Sequence, residues 1–220
     1  MNRASGGVAA TVFALATALA VAGLGMLLFL NPVWVAFEQD RAQAHEWTGF
    51  TEPQLRSVTN AILGDLVLGP PEFDAAVDGT PVLKERERGH MRDVRNVFAA
   101  FYAVVAIAVA VLLGAWLRRG DGRAFWRRVA FGGRALAVGV VVIGALAVLF
   151  FDAAFELFHR LFFPAGSYTF DPATERLVQL FPYQFWIETT AVLGVVLVVA
   201  GVVLDRLGRA RAAGAAEARG

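Results

Sequence analysis

The stretch VRNVFAAFYAVVAIAVAVLLGAWL, residues 94–117, decides how the rest of the chain is read. It carries a single charge, Arg95, close to its start. A helix rises about 1.5 Å per residue and a bilayer core is about 30 Å thick, so a run of this length spans a membrane. Three other runs approach the same length: Val8–Leu30, Ala135–Phe151 and Phe185–Leu204. The third is the shortest, and Gly132–Arg134 and the aromatics after it extend it. The composition agrees, at 57% hydrophobic, 18% charged and mean hydropathy +0.57, where soluble domains carry about 25% charged residues. The chain therefore reads as an all-α membrane protein with four transmembrane helices and an extracellular cap. Ala16-Thr17-Ala18 has the spacing of a signal-peptide cleavage site. The 23-residue apolar run around it is longer than a signal core of ~7–15 residues, so it reads as a retained helix.

Charge sets the orientation. Eleven of the twenty Lys and Arg residues, against three acids, lie in residues 118–134 and 205–220, with Arg3 at the N-terminus. The other two loops and adjoining span ends are net acidic, which a net charge of +1 conceals. By the positive-inside rule both termini are cytoplasmic. The expected order is a first span at 1–30 and an extracellular cap at 31–93. A second span follows at 94–117, then a cytoplasmic basic loop at 118–134. The third span is 135–151, the second outer loop 152–184, the fourth span 185–204, and 205–220 a disordered Ala/Gly/Arg-rich tail. Partners expected on composition are the bilayer and not nucleic acid, because topology accounts for the basic residues.

A loop of about 60 residues is too long to be a simple connection. Thr51-Glu52-Pro53-Gln54 forms a capping-box pattern, and Leu55, Val58, Ile62, Leu63, Leu66 and Val67 follow at helical spacing up to Gly69-Pro70-Pro71. That predicts an amphipathic helix capping the bundle. Pro81-Val82-Leu83 predicts a short strand or an extended link. Asp171-Pro172 predicts the start of a short helix over 173–180, whose Leu177, Val178 and Phe181 dock on the first cap helix.

Two of the three histidines, His90 and His159, sit where apolar runs meet the outer loops. Imidazole titrates near neutrality and suits proton transfer. His90 and Asp93 are spaced i,i+3, as are Glu156 and His159, so on helices each carboxylate shares a face with its histidine and could orient it. Residues 150–186 hold twelve of the 26 aromatics, nine of them Phe. That segment reads either as an interfacial belt or as an acyl-chain pocket; Phe155, Phe158, Phe162, Phe163, Tyr183 and Phe185 would line the latter. On the residues alone three readings stand open. They are acid–base acyl transfer by His90 and His159, a metal site built from Glu-x-x-His facing His-x-x-Asp, and histidines that are merely hydrogen-bonded at the interface. A non-enzymatic membrane partner whose cap docks another protein also fits. His45 has no such setting and reads as a surface residue. The chain lacks cysteine, which excludes a thiol nucleophile, and no nucleophile-elbow, zincin or P-loop motif occurs.

The segments Gly-His-Met-Arg-Asp-Val-Arg (89–95) and Phe-His-Arg-Leu-Phe-Phe (158–163), with Phe-Asp-Pro (170–172) and Leu-Phe-Pro-Tyr-Gln-Phe (180–185), resemble the bacterial lipoprotein intramolecular transacylases. The resemblance covers nearly the whole chain, the basic tail and His45 excepted. It implies a membrane acyltransferase acting on membrane-anchored lipoproteins. The enzyme would move the sn-2 acyl chain of a diacylglyceryl lipoprotein to its N-terminal Cys amine. It also implies that His90 and His159 are the catalytic pair and that no cofactor or metal is needed.

Overall fold

The computed structural model describes residues 3–119 and 122–217, without the side chains of 3–6, 119 and 215–217. The expected charges at Asp121 and Arg219 lie outside the described residues, as do the side chains of Arg3, Arg119 and Glu217. The order of elements is α1 (Arg3–Leu27), α2 (Pro32–Arg41), α3 (Ala44–Thr48), α4 (Glu52–Val67), β1 (Ala76–Val77), β2 (Thr80–Pro81), α5 (Glu85–Arg119), α6 (Arg123–Leu149), α7 (Phe151–Phe162), α8 (Arg176–Leu180) and α9 (Tyr183–Glu217). Helices α1, α5, α6 and α9 are long and apolar enough to cross a membrane.

The helices overrun several expected boundaries. The basic loop at 118–134 is almost wholly helical, because α5 continues to Arg119 and α6 begins at Arg123. The helix that carries the third expected span is α6, 27 residues long from Arg123 to Leu149, and it ends two residues before the expected limit at Phe151. The segment 205–217 continues α9 instead of forming a disordered tail, since Ala and Arg are strong helix formers and no proline interrupts them. Residues 151–162 form a separate helix, α7, and not loop.

The chain divides into two compact units. The first comprises Met1–Met26, Phe101–Leu146 and Val192–Gly220. Its helices approach through small residues, as expected where lipid is the solvent and close backbone contact replaces the hydrophobic effect. A Cβ built on Gly133 of α6 would lie 2.6 Å from the Gly201 carbonyl oxygen of α9. One built on Gly201 would lie equally close to the Gly133 carbonyl oxygen, so neither position admits a side chain. Outward-facing Ile107, Leu113, Ile143 and Val195 remain exposed, as lipid-facing residues do.

The second unit comprises Leu27–Ala100 and Ala147–Ala191. Its core gathers Leu55, Val58 and Ile62 of α4 with Phe73, Val82, Leu83, Met91, Leu177 and Leu180. The capping box of Thr51 and Gln54 starts α4 as expected. Leu66 is partly buried, but Val67 stays exposed. Asp78 and Gly79 both take positive φ, 51° and 77°. They form the two-residue turn that Asp-Gly favours and pair Ala76 with Pro81 and Val77 with Thr80. Val82 and Leu83 drop into the core instead of extending the strand.

Helix α2 is not among the expected elements. Asn31 caps it, accepting from the Val33 and Trp34 amides at 3.0 and 3.1 Å, with Pro32 in the first turn. Its buried Gln39 donates to the Leu180 carbonyl (2.9 Å) and accepts from the Thr59 hydroxyl (3.0 Å), tying together α2, α4 and α8. The expected 173–180 helix begins only at Arg176. Asp171 Oδ1 instead accepts from the Ala173 amide (2.9 Å) in a turn, a local bond with which Asp competes against helix. Leu177 and Leu180 bury as the docking face, and Phe181 packs against it.

Candidate active site

His90 lies in the second turn of α5. The apolar Val94–Leu117 run of that helix is the part suited to the bilayer core, and the six charged side chains of Glu85–Asp93 set that segment apart from it. The start of α5 is held by Glu87, which is fully buried. Glu87 Oε2 accepts from the Lys84 amide (2.8 Å), the backward-reaching half of a capping box. Its Oε1 accepts from the Leu177 amide at the start of α8 (2.6 Å). One turn from His90, a single carboxylate thus joins two segments 90 residues apart. Beside it, the Arg86 guanidinium donates to the Thr169 carbonyl and lies 4.7 Å over the Phe170 ring. Phe170 in turn meets the His90 ring at 5.4 Å. On its other side Arg95 clasps the Asp65 and Gly69 carbonyls at the end of α4.

His159 reaches the same place from α7. The two imidazoles lie nearly parallel, 20° apart in plane, with centroids 6.1 Å apart. Phe163 closes against both, at 4.8 Å from His90 and 5.5 Å from His159. Phe155 and Phe158 flank His159 at 4.2 and 5.5 Å, and Tyr168 lies 5.1 Å from it. His90 is only 7% exposed, and its Nδ1 is buried without a hydrogen-bond partner. Burial, and then the neighbouring His159, push its pKa down to about 4, so it stays neutral at physiological pH. His159 is half-buried, with Nδ1 2.7 Å from the Phe155 carbonyl oxygen. A carbonyl can only accept, so in the neutral imidazole Nδ1 carries the proton and Nε2 the lone pair.

The spacing-based orienting pairs are not made. Glu156 accepts from the Tyr168 hydroxyl (3.1 Å), while His159 donates to its own helix. Burial, followed by the bond to Glu156, raises the Tyr168 pKa and keeps it a donor. Among the described residues no hydrogen bond links Asp93 to His90. Nor do three or more His, Asp or Glu side chains there converge as metal ligands, so the four-ligand arrangement is not assembled. Three of the expected lining residues sit elsewhere. Phe162 packs at a tilt on Phe158, 4.9 Å between ring centroids, and is exposed. Tyr183 packs on Phe151. Phe185 is buried with Val35, Ala42 and Leu63. His45 is an exposed residue of α3. Arg86, Glu87, Tyr168 and Phe170 were missed as site residues. Glu87 could have been found from its third position in a helix, where a carboxylate reaches back to the cap.

The model of the lipoprotein intramolecular transacylase Lit matches residues 9–186. The chain belongs to the Lit family. Like the family it is an integral, multi-pass membrane protein and an acyltransferase. The crystallised Lit of Bacillus cereus, described as a membrane-integral lipoprotein intramolecular transacylase, superposes with a TM-score of 0.74 at 17% identity, over 96% of this chain and 97% of that one. A form of it with one histidine replaced by arginine gives 0.76 at 16% identity, over 95% and 92%. A curated Aquifex aeolicus protein, itself uncharacterized, is 24% identical over 190 residues, covering 83% of this chain and 84% of its own.

Proposed function

We propose that this enzyme moves the sn-2 acyl chain of a diacylglyceryl lipoprotein to the free amine of its N-terminal Cys, leaving a lyso-glyceryl lipoprotein. The observation that carries the reading is the His90–His159 pair, 6.1 Å apart within a wall of Phe155, Phe158, Phe163 and Phe170. His159 is the general base, because its Nδ1–H is held by a carbonyl and Nε2 is free. An amine with a pKa of about 8 is largely ammonium at neutral pH and first gives that proton to solvent; Nε2 then takes the proton that the neutral amine releases as its nitrogen adds to the ester carbonyl. His90, neutral through burial, donates an N–H to the oxyanion. The tetrahedral species then breaks its bond to the sn-2 oxygen. The proton held on His159 passes to that oxygen, so from the neutral amine onward no net proton is gained or lost.

Nucleophile and ester belong to one molecule, so the enzyme's main work is holding a near-attack geometry. The phenylalanine wall suits this, gripping acyl chains and keeping out water that would hydrolyse the ester. By charge bias the site faces outward, with both termini in the cytoplasm.

The test is expression in a bacterium without an N-acylating enzyme, followed by tandem mass spectrometry of an abundant lipoprotein's N-terminal peptide. An unchanged total acyl mass with one chain on the Cys nitrogen is expected. His90→Ala and His159→Ala should each abolish the transfer while still inserting in the membrane. Full activity in either sinks the two-histidine assignment.

A further inference from the structure

The first unit contains a second polar feature, remote in sequence from either histidine. A cavity of about 570 Å³ is bordered by Arg123, Arg127, Arg128 and Arg134 of α6 and by Asp205 and Arg209 of α9. Asp205 pairs with Arg209. Among the described residues the other four arginines meet no carboxylate. Charge bias alone would scatter arginines over this end of the spans; here they surround one space. Asp205 is buried at 8% exposure, with Oδ1 lacking a partner. A ligand offering a hydrogen-bond donor beside its anion would satisfy it.

A second hollow of about 820 Å³ adjoins the first and shares Arg128. Its walls are Val8, Val12 and Phe13 of α1 and Val111 and Gly114 of α5, with Arg118 completing the charged edge. A basic cavity next to an apolar groove has the shape of an amphiphile's complement.

We propose that this is a binding site for an anionic phospholipid of the leaflet at the basic end of the spans. The arginines take the phosphodiester through charge-assisted bonds. Asp205 Oδ1 accepts from a headgroup hydroxyl, and one acyl chain lies along the α1–α5 groove. Such a lipid would brace α1, α5, α6 and α9 at the membrane edge opposite in charge to the catalytic loops.

Native mass spectrometry of the full chain released from vesicles of phosphatidylglycerol or phosphatidylcholine tests this, with thermal stability read in parallel. Arg127→Gln with Arg134→Gln removes two exposed charges. Gly114→Leu fills the groove, and a Cβ there meets nothing within 4 Å, so the helix tolerates it. Phosphatidylglycerol should remain bound and raise the melting temperature. The arginine double variant should bind it about tenfold or more weakly, the size of one lost charge-assisted bond. Gly114→Leu should lose it as well, whereas Arg206→Gln, a basic residue that does not line the cavity, should keep it. Equal retention of phosphatidylcholine, or loss in Arg206→Gln equal to that in the double variant, overturns the site in favour of diffuse charge attraction. The same stabilisation by inorganic phosphate without lipid overturns the acyl-chain groove.

Discussion

Replacing Glu87 by glutamine keeps the shape of the side chain and removes one of its two acceptors. Glu87 now satisfies the Lys84 and Leu177 amides at 2.8 and 2.6 Å with no exposure to water. The glutamine oxygen can serve one amide; its NH2 group must face the other, donor to donor. A hydrogen bond to a charged group contributes about 1.5–3 kcal/mol and a neutral one about 1. One bond lost and one weakened therefore cost about 2–5 kcal/mol, a large share of a typical 5–15 kcal/mol of stability. That corresponds to local opening easier by about 30-fold to about 4,000-fold. Hydrogen exchange on protein in detergent or nanodiscs reads it directly, because the Leu177 or Lys84 amide should lose protection by that factor. Since Glu87 sits one turn before His90, kcat for acyl transfer should fall more than substrate binding. Exchange at both amides within threefold of the parent, with full activity, would refute the reasoning.

Three further outcomes follow from the geometry. Because burial depresses the His90 pKa to about 4 from an ordinary 6.5, the unfolded chain takes up a proton that the folded one refuses. This contribution is complete above about 6.5 and is lost as pH falls toward 4; denaturant midpoints at pH 7 and 4.5 should differ less in His90→Gln than in the parent. Tyr168→Phe keeps the ring against His159 and drops only the bond to Glu156, so activity should fall a few-fold while Tyr168→Ala loses much more; equal losses would mean the hydroxyl matters, not the ring. Gly133→Leu drives a side chain into the Gly201 carbonyl and should destabilise by about 1–3 kcal/mol or more, seen as a lower melting temperature, whereas Gly139→Leu, with open space at Cβ, should not.

Features that depend on near neighbours along the chain are the ones most legible in the order of residues. Run length and apolarity identify the four spans, because a helix in lipid satisfies its own backbone. The Thr51–Gln54 box starts α4 for the same local reason. His90 and His159 stood out through their positions at the ends of apolar runs. Asn31-Pro32 before α2 and Asp78-Gly79 in the hairpin are signals of the same local kind, a helix cap and a two-residue turn.

Tertiary structure alone decided which groups meet. Spacing places Glu156 on the same face as His159, but Tyr168 takes the carboxylate, and the nearest acceptor for the imidazole is a carbonyl of its own helix. Of the aromatics that composition marked as a pocket, Phe163 closes on both histidines, while Phe185 packs under α2 and Tyr183 on Phe151. Nothing in the residues around Glu87 names its second partner, the Leu177 amide of α8, 90 residues away. Helical periodicity says which face a residue occupies; it does not say what stands opposite that face, and that depends on the closing of loops tens of residues long.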